Sequence, residues 1–71
     1  MKKNLIKTYN FIVGYYNEHG YMPAIREICK GVNINSTATI HRHLLKLTEL
    51  GYIQTEHPGS PRAFRLTGKG L

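Results

Sequence analysis

Ile34-Asn35-Ser36-Thr37-Ala38-Thr39-Ile40-His41-Arg42-His43-Leu44 is the run that decides the fold. Two small capping candidates, Asn35 and Ser36, stand at its start. Ile40, Leu44 and Leu47 then fall at i, i+4 and i+7, and Gly51 closes the same line, which predicts a helix running on to about Gly51 with that line buried. The opposite side carries Ala38, Arg42, Leu45 and Glu49, with Thr39 and His41 flanking its N-terminal half. A helix that only plugs a core would turn long, solvating charges outward. Here the first half of the outer face is short and hydrogen-bonding instead. Ser, Thr, His and Arg side chains near a helix N-terminus can reach base edges, while the helix end itself attracts phosphate. The run therefore reads as the recognition helix of a helix-turn-helix.

Upstream, Leu5, Tyr9, Ile12 and Tyr16 repeat at helical spacing, with Thr8 and Tyr15 beside them, predicting a helix from about Asn4 to His19 that Gly20 ends. Tyr9 and Tyr16, like Tyr52 further on, fall on core-facing positions. Gly14 costs this helix about 1 kcal/mol relative to alanine, so it either admits a close neighbour or is tolerated. Tyr21-Met22-Pro23 is an extended connector, because a residue before proline avoids the α region. A short second helix follows from about Ala24 to Lys30, burying Ile25, Ile28 and Cys29. Gly31-Val32-Asn33 is the turn, with Gly31 able to take the left-handed conformation that stops a helix and Val32 or Ile34 plugging the angle.

Downstream of Gly51, two β-prone runs, Tyr52–Glu56 and Arg62–Leu66, flank His57-Pro58-Gly59-Ser60-Pro61 and predict a hairpin. Ile53, Phe64 and Leu66 would face the helices, with Arg62 and Arg65 at or near the surface and Thr67–Leu71 loose. Helix, helix, turn, helix, hairpin is a mainly α winged helix-turn-helix, three helices plus a two-stranded wing, in a single domain spanning residues 1–71.

Seventy-one residues hold one small core and no deep cleft. Ten Lys and Arg against four Asp and Glu give a net charge of +6, which favours a polyanionic partner, nucleic acid before an acidic membrane surface. No apolar run approaches the roughly 20 residues of a membrane span, and the N-terminus lacks a signal-peptide pattern, so a cytoplasmic location is expected. The single cysteine, Cys29, cannot form an internal disulfide and reads as a small buried hydrophobe.

Gly20-Tyr21-Met22-Pro23, Arg26-Glu27-Ile28, Ser36 through Leu44, Leu47, Gly51-Tyr52-Ile53 and Pro61-Arg62-Ala63, in this order and spacing, resemble the N-terminal DNA-binding domain of LexA-type repressors. The resemblance runs from about Leu5 to Leu66. It implies a winged helix-turn-helix that binds palindromic operators in the major groove of double-stranded DNA, as a homodimer on the DNA, and represses transcription. Carried over residue by residue, the family's base-reading positions fall on Ser36, Ala38, Thr39, His41 and Arg42. The nearest form of the motif has glycine where Arg42 stands, and Leu45 and Leu50 replace residues that are polar or small in the family. LexA repressors also resemble a two-part design with a self-cleaving, dimerising C-terminal half, for which this chain has no counterpart. It is either an excised DNA-binding part or a small stand-alone relative.

Other chemistries find less support in the residues. His41 and His43 point about 200° apart on a helix, and no second ligand pair lies at i+4, so no metal is expected. His41 reads as outward and His43 as partly buried. Cys29 has no activating histidine placed near it in sequence, and Glu18, Glu27, Glu49 and Glu56 are scattered without a convergent pair. Neither catalysis nor a cofactor is expected. Arg26, in the first turn of the second helix, and Arg62, at the start of the second wing strand, are the phosphate-contact candidates, each weighed against an ordinary solvated arginine. The competing function is a winged helix used as a protein-interaction module through Leu45 and Leu50.

Overall fold

The computed structural model describes residues 3–55 and 64–68. Three helices, α1 (Lys3–His19), α2 (Ile25–Val32) and α3 (Thr37–Leu50), precede two strands, β1 (Ile53–Thr55) and β2 (Phe64–Leu66). The strands pair antiparallel with Ile53 opposite Leu66, Gln54 opposite Arg65 and Thr55 opposite Phe64. This is the expected winged helix-turn-helix.

The core forms where the apolar stripes of the helices meet. Leu5, Tyr9 and Ile12 of α1, Ile25, Ile28 and Val32 of α2, Ile40, Leu44 and Leu47 of α3 and Ile53 of β1 are all buried in one cluster. Each large aliphatic side chain removed from water here contributes about 1.5–3 kcal/mol before the entropy cost of ordering the chain. Leu66 packs against this cluster beside Ile53, and Arg65 is exposed, as the hairpin alternation requires. The side chain of Phe64, Arg62 and the wing turn at 57–61 lie outside the described residues.

Both ends of α3 are closed locally. Ser36 takes an extended conformation and its side chain accepts a hydrogen bond from the Thr39 N–H at 3.2 Å. Gly51, at φ 87°, closes the C-terminus in the left-handed region, and the Tyr52 N–H reaches back to the Leu47 carbonyl at 2.9 Å. The chain after β2 is anchored at the same corner. Thr67 Oγ1 donates to the Gly51 carbonyl at 2.7 Å, and its N–H donates to the Tyr52 carbonyl at 3.2 Å. Thr67, expected to be loose, thus ties the returning hairpin to the end of α3, while 69–71 lie outside the described residues.

Four further expectations are corrected. The residue that stops α2 is Asn33, at φ 58°, and not Gly31, which lies inside the helix. Asparagine tolerates the left-handed region, and the Ile34 N–H bonds the Cys29 carbonyl at 3.0 Å across the turn. Gly31 serves packing instead, because the ring of Phe11 occupies the space where a Cβ at position 31 would stand. Cys29 is half-buried at the edge of the core, the interior of this face being filled by Ile28 and Val32. Tyr16 is 41% exposed, since the buried residues of α1 end at Ile12, one turn earlier on that stripe. Leu50 leans back onto the core, so only Leu45 of the two outer leucines is exposed.

Gly31 and Gly14 give opposite expectations for one substitution. Nothing lies within 4 Å of a Cβ built at Gly14, so Gly14→Ala should stabilise the fold by up to about 1 kcal/mol through helix propensity. Gly31→Ala must displace the Phe11 ring and should destabilise by about 1–3 kcal/mol. Urea unfolding of the two variants checks this, and equal stabilisation by both would contradict the Phe11 contact.

Candidate nucleic-acid interface

Burial of the Ile40, Leu44 and Leu47 side dictates which residues α3 turns outward. Ser36, Thr37, Ala38, His41, Arg42 and Leu45 are exposed, and Thr39 is half-buried at the border with the core. At 100° per residue, Ala38, His41 and Arg42 fall within an arc of about 100° on the outer side of the helix. Three of the five proposed base readers thus share one exposed surface at the N-terminal half of α3, while Ser36 is exposed at the N-cap and Thr39 is half-buried. Ser36 has a second task there. Its hydroxyl oxygen is the N-cap acceptor, which leaves its O–H proton as the group it can offer outward.

Behind this surface, His43 links α3 to α1. Its Nδ1 lies 2.9 Å from Oγ1 of Thr8, a fully buried polar side chain whose O–H donates to the Asn4 carbonyl at 2.9 Å. With that proton committed to Asn4, the Thr8 oxygen is the acceptor and His43 Nδ1–H the donor. Burial lowers the His43 pKa, disfavouring the imidazolium. Sequence periodicity indicated a partly buried His43 but gave no sign of its partner, because Thr8 stands 35 residues away beside the α1 stripe and no local spacing joins the two.

Arg26 is exposed in the first turn of α2. The preceding Ala24 offers no side-chain cap, so the first N–H groups of α2 have no side-chain acceptor from that position. A cation beside such a helix end suits a phosphate. Glu27, in the same turn, is half-buried. Its carboxylate, followed by Tyr21, pushes the Tyr15 pKa above the usual phenol range. Tyr15, His19 and Tyr21 pack ring against ring, with Tyr15 and His19 centroids 4.2 Å apart and Tyr15 and Tyr21 centroids 5.7 Å apart. This cluster was not foreseen, since the extended connector carries Tyr21 back onto α1 in a way no local periodicity encodes. Arg62 lies outside the described residues.

The family model for the LexA DNA binding domain matches residues 5–63. The chain belongs to the LexA DNA-binding domain family. It is 41% identical over 70 residues to the LexA repressor of Limosilactobacillus reuteri, covering 99% of this chain and 33% of that protein. It is 45% identical over 74 residues to the LexA repressor of Carboxydothermus hydrogenoformans, covering 97% of this chain and 36% of that protein. With the LexA repressor of Caldicellulosiruptor saccharolyticus it shares 43% identity over 70 residues, covering 93% of this chain and 34% of that protein. The chain therefore spans about a third of the length of the curated LexA relatives it matches. No helix among the described residues of this LexA domain is long and apolar enough to cross a membrane.

The half-buried His43 makes the stability of the LexA fold pH-dependent. Because its folded pKa lies below the unfolded value of about 6.5, the unfolded chain takes the proton more readily. The His43 contribution is complete above about pH 6.5 and is lost as pH falls through the lowered value. His43→Asn keeps an amide donor near the Nδ1 position and removes the titration. Melting temperatures between pH 7.5 and 5 should fall less for this variant than for the wild type, and equal falls would contradict the assignment.

Proposed function

We propose that this chain is a sequence-specific binder of double-stranded DNA that represses transcription in the cytoplasm, on the DNA of the nucleoid. In this reading α3 enters the major groove, two copies occupy the halves of a palindromic operator, and no cofactor takes part. The observation that carries it is the outer face of α3, where a buried aliphatic seam leaves Ala38, His41 and Arg42 exposed together behind a capped N-terminus. Ser36, Ala38 and Thr39 are short enough to permit close approach of the helix to base edges. Arg42 can read guanine through O6 and N7. Arg26, beside the uncapped start of α2, and Arg62, which the sequence pattern assigns to the wing, would hold phosphates and fix orientation. The +6 net charge supplies attraction independent of sequence.

The interaction-module reading needs Leu45 and Leu50 to form one surface. Leu50 packs on the core, so that surface is reduced to a single side chain and the reading loses its support. The two copies on an operator need not associate strongly without DNA. Linking two chains would raise affinity through effective concentration alone.

Fluorescence anisotropy on duplexes selected from a random library tests the assignment of roles. Log K should fall with log salt, with a slope near −0.9 per neutralised phosphate. Arg42→Ala should relax preference at one position of each half-site by about 1–3 kcal/mol, whereas Arg26→Ala should weaken selected and scrambled duplexes alike. A flat salt response would remove the electrostatic basis of the proposal, and equal losses for Arg42→Ala on both duplexes would make Arg42 a phosphate contact.

A further inference from the structure

Leu45 is 61% exposed, the most exposed of the large hydrophobic side chains among the described residues. Its place on α3 gives that exposure a use. Ala38, His41, Arg42 and Leu45 stand at i, i+3, i+4 and i+7, the spacing with which a helix laid in the major groove offers one row of side chains to successive base edges. By helical geometry Leu45 projects about 20° from Ala38, about 40° from His41 and about 60° from Arg42, inside the arc those three define. It lies about 10.5 Å along the axis from Ala38, roughly three base-pair steps of 3.4 Å. An apolar side chain in that row cannot hydrogen bond a base. The one apolar group that a base pair presents in the major groove is the 5-methyl of thymine.

We infer that Leu45 is a specificity-determining residue that packs on a thymine methyl, resting on the DNA-binding reading above. Two observations favour this occupant over a protein. The apolar surface does not continue along the helix, because Leu50 packs inward and Lys46 and Glu49 pair with each other at 3.7 Å on the intervening turn. The flanking outer residues, His41 and Arg42, are those of a nucleic-acid face rather than of an apolar dock.

The test uses the duplex most enriched by the wild-type chain from a random library, with each thymidine replaced singly by deoxyuridine. That change removes one methyl and leaves every hydrogen-bonding edge intact. At one position of each half-site, deoxyuridine should lower wild-type affinity about three- to fivefold. Leu45→Ala, an exposed substitution whose folding is checked by circular dichroism, should lose a comparable factor on the thymidine duplex and no longer distinguish the two at that position. Undiminished deoxyuridine sensitivity in Leu45→Ala, or no sensitive position for the wild type, overturns the assignment and leaves DNA binding standing. A weakened self-association in Leu45→Ala, seen by sedimentation without DNA, assigns the residue to a protein interface and also overturns it. Failure of the wild type to enrich any sequence overturns both the assignment and the reading beneath it.

Discussion

Burial of Ile40, Leu44 and Leu47 against α1 and α2 is the constraint on which the rest of this domain depends. A helix of 14 residues has one rotation about its axis that buries that seam, and the rotation decides which side chains face solvent. The polar and small residues that would read DNA are therefore placed by groups on the far side of the helix that never approach it. Loss of one seam residue would cost about 2–5 kcal/mol, a large part of the stability of a domain this size. It would also release the orientation of the outer face.

Apolar packing alone tolerates small rotations, and the polar contacts around the seam narrow them. The His43 to Thr8 bond fixes the N-terminal half of α3 to α1, behind its outer face. At the other end, Gly51 and Thr67 bind the helix terminus, the first residues after it and the returning strand into one corner. The wing and the recognition helix are thus oriented together by a short path of backbone carbonyls. Phe11 against Gly31 does the same for α2 relative to α1, through a close approach that only glycine allows.

Much of this was legible in the sequence, because helical spacing encodes burial directly. The seam of α3, the cap at Ser36, the closing Gly51 and the outward positions of Ala38, His41 and Arg42 all follow from periodicity and local chain chemistry. What periodicity could not give was contact between distant segments. Gly31 read as a helix stop because a turn and a close packing site look alike in one dimension, and the Phe11 ring that distinguishes them lies 20 residues away. Tyr16 continued the stripe of α1 past its last buried residue, Ile12. Thr8 read only as a neighbour of the α1 stripe and is a buried hydrogen-bonding partner. The leucine pair was split by packing, Leu50 inward and Leu45 outward, which the sequence registered only as two apolar residues near one face.

A buried seam that turns one face of α3 toward DNA can be read directly by chemical-shift mapping. Titration of the isotopically labelled chain with an enriched duplex should perturb the backbone and side-chain signals of Ser36, Ala38, His41 and Arg42, together with Arg26. Ile12, Ile28 and the aromatic cluster of Tyr15, His19 and Tyr21 should remain unmoved. Perturbation centred on that aromatic cluster, with the outer face of α3 unchanged, would contradict the account.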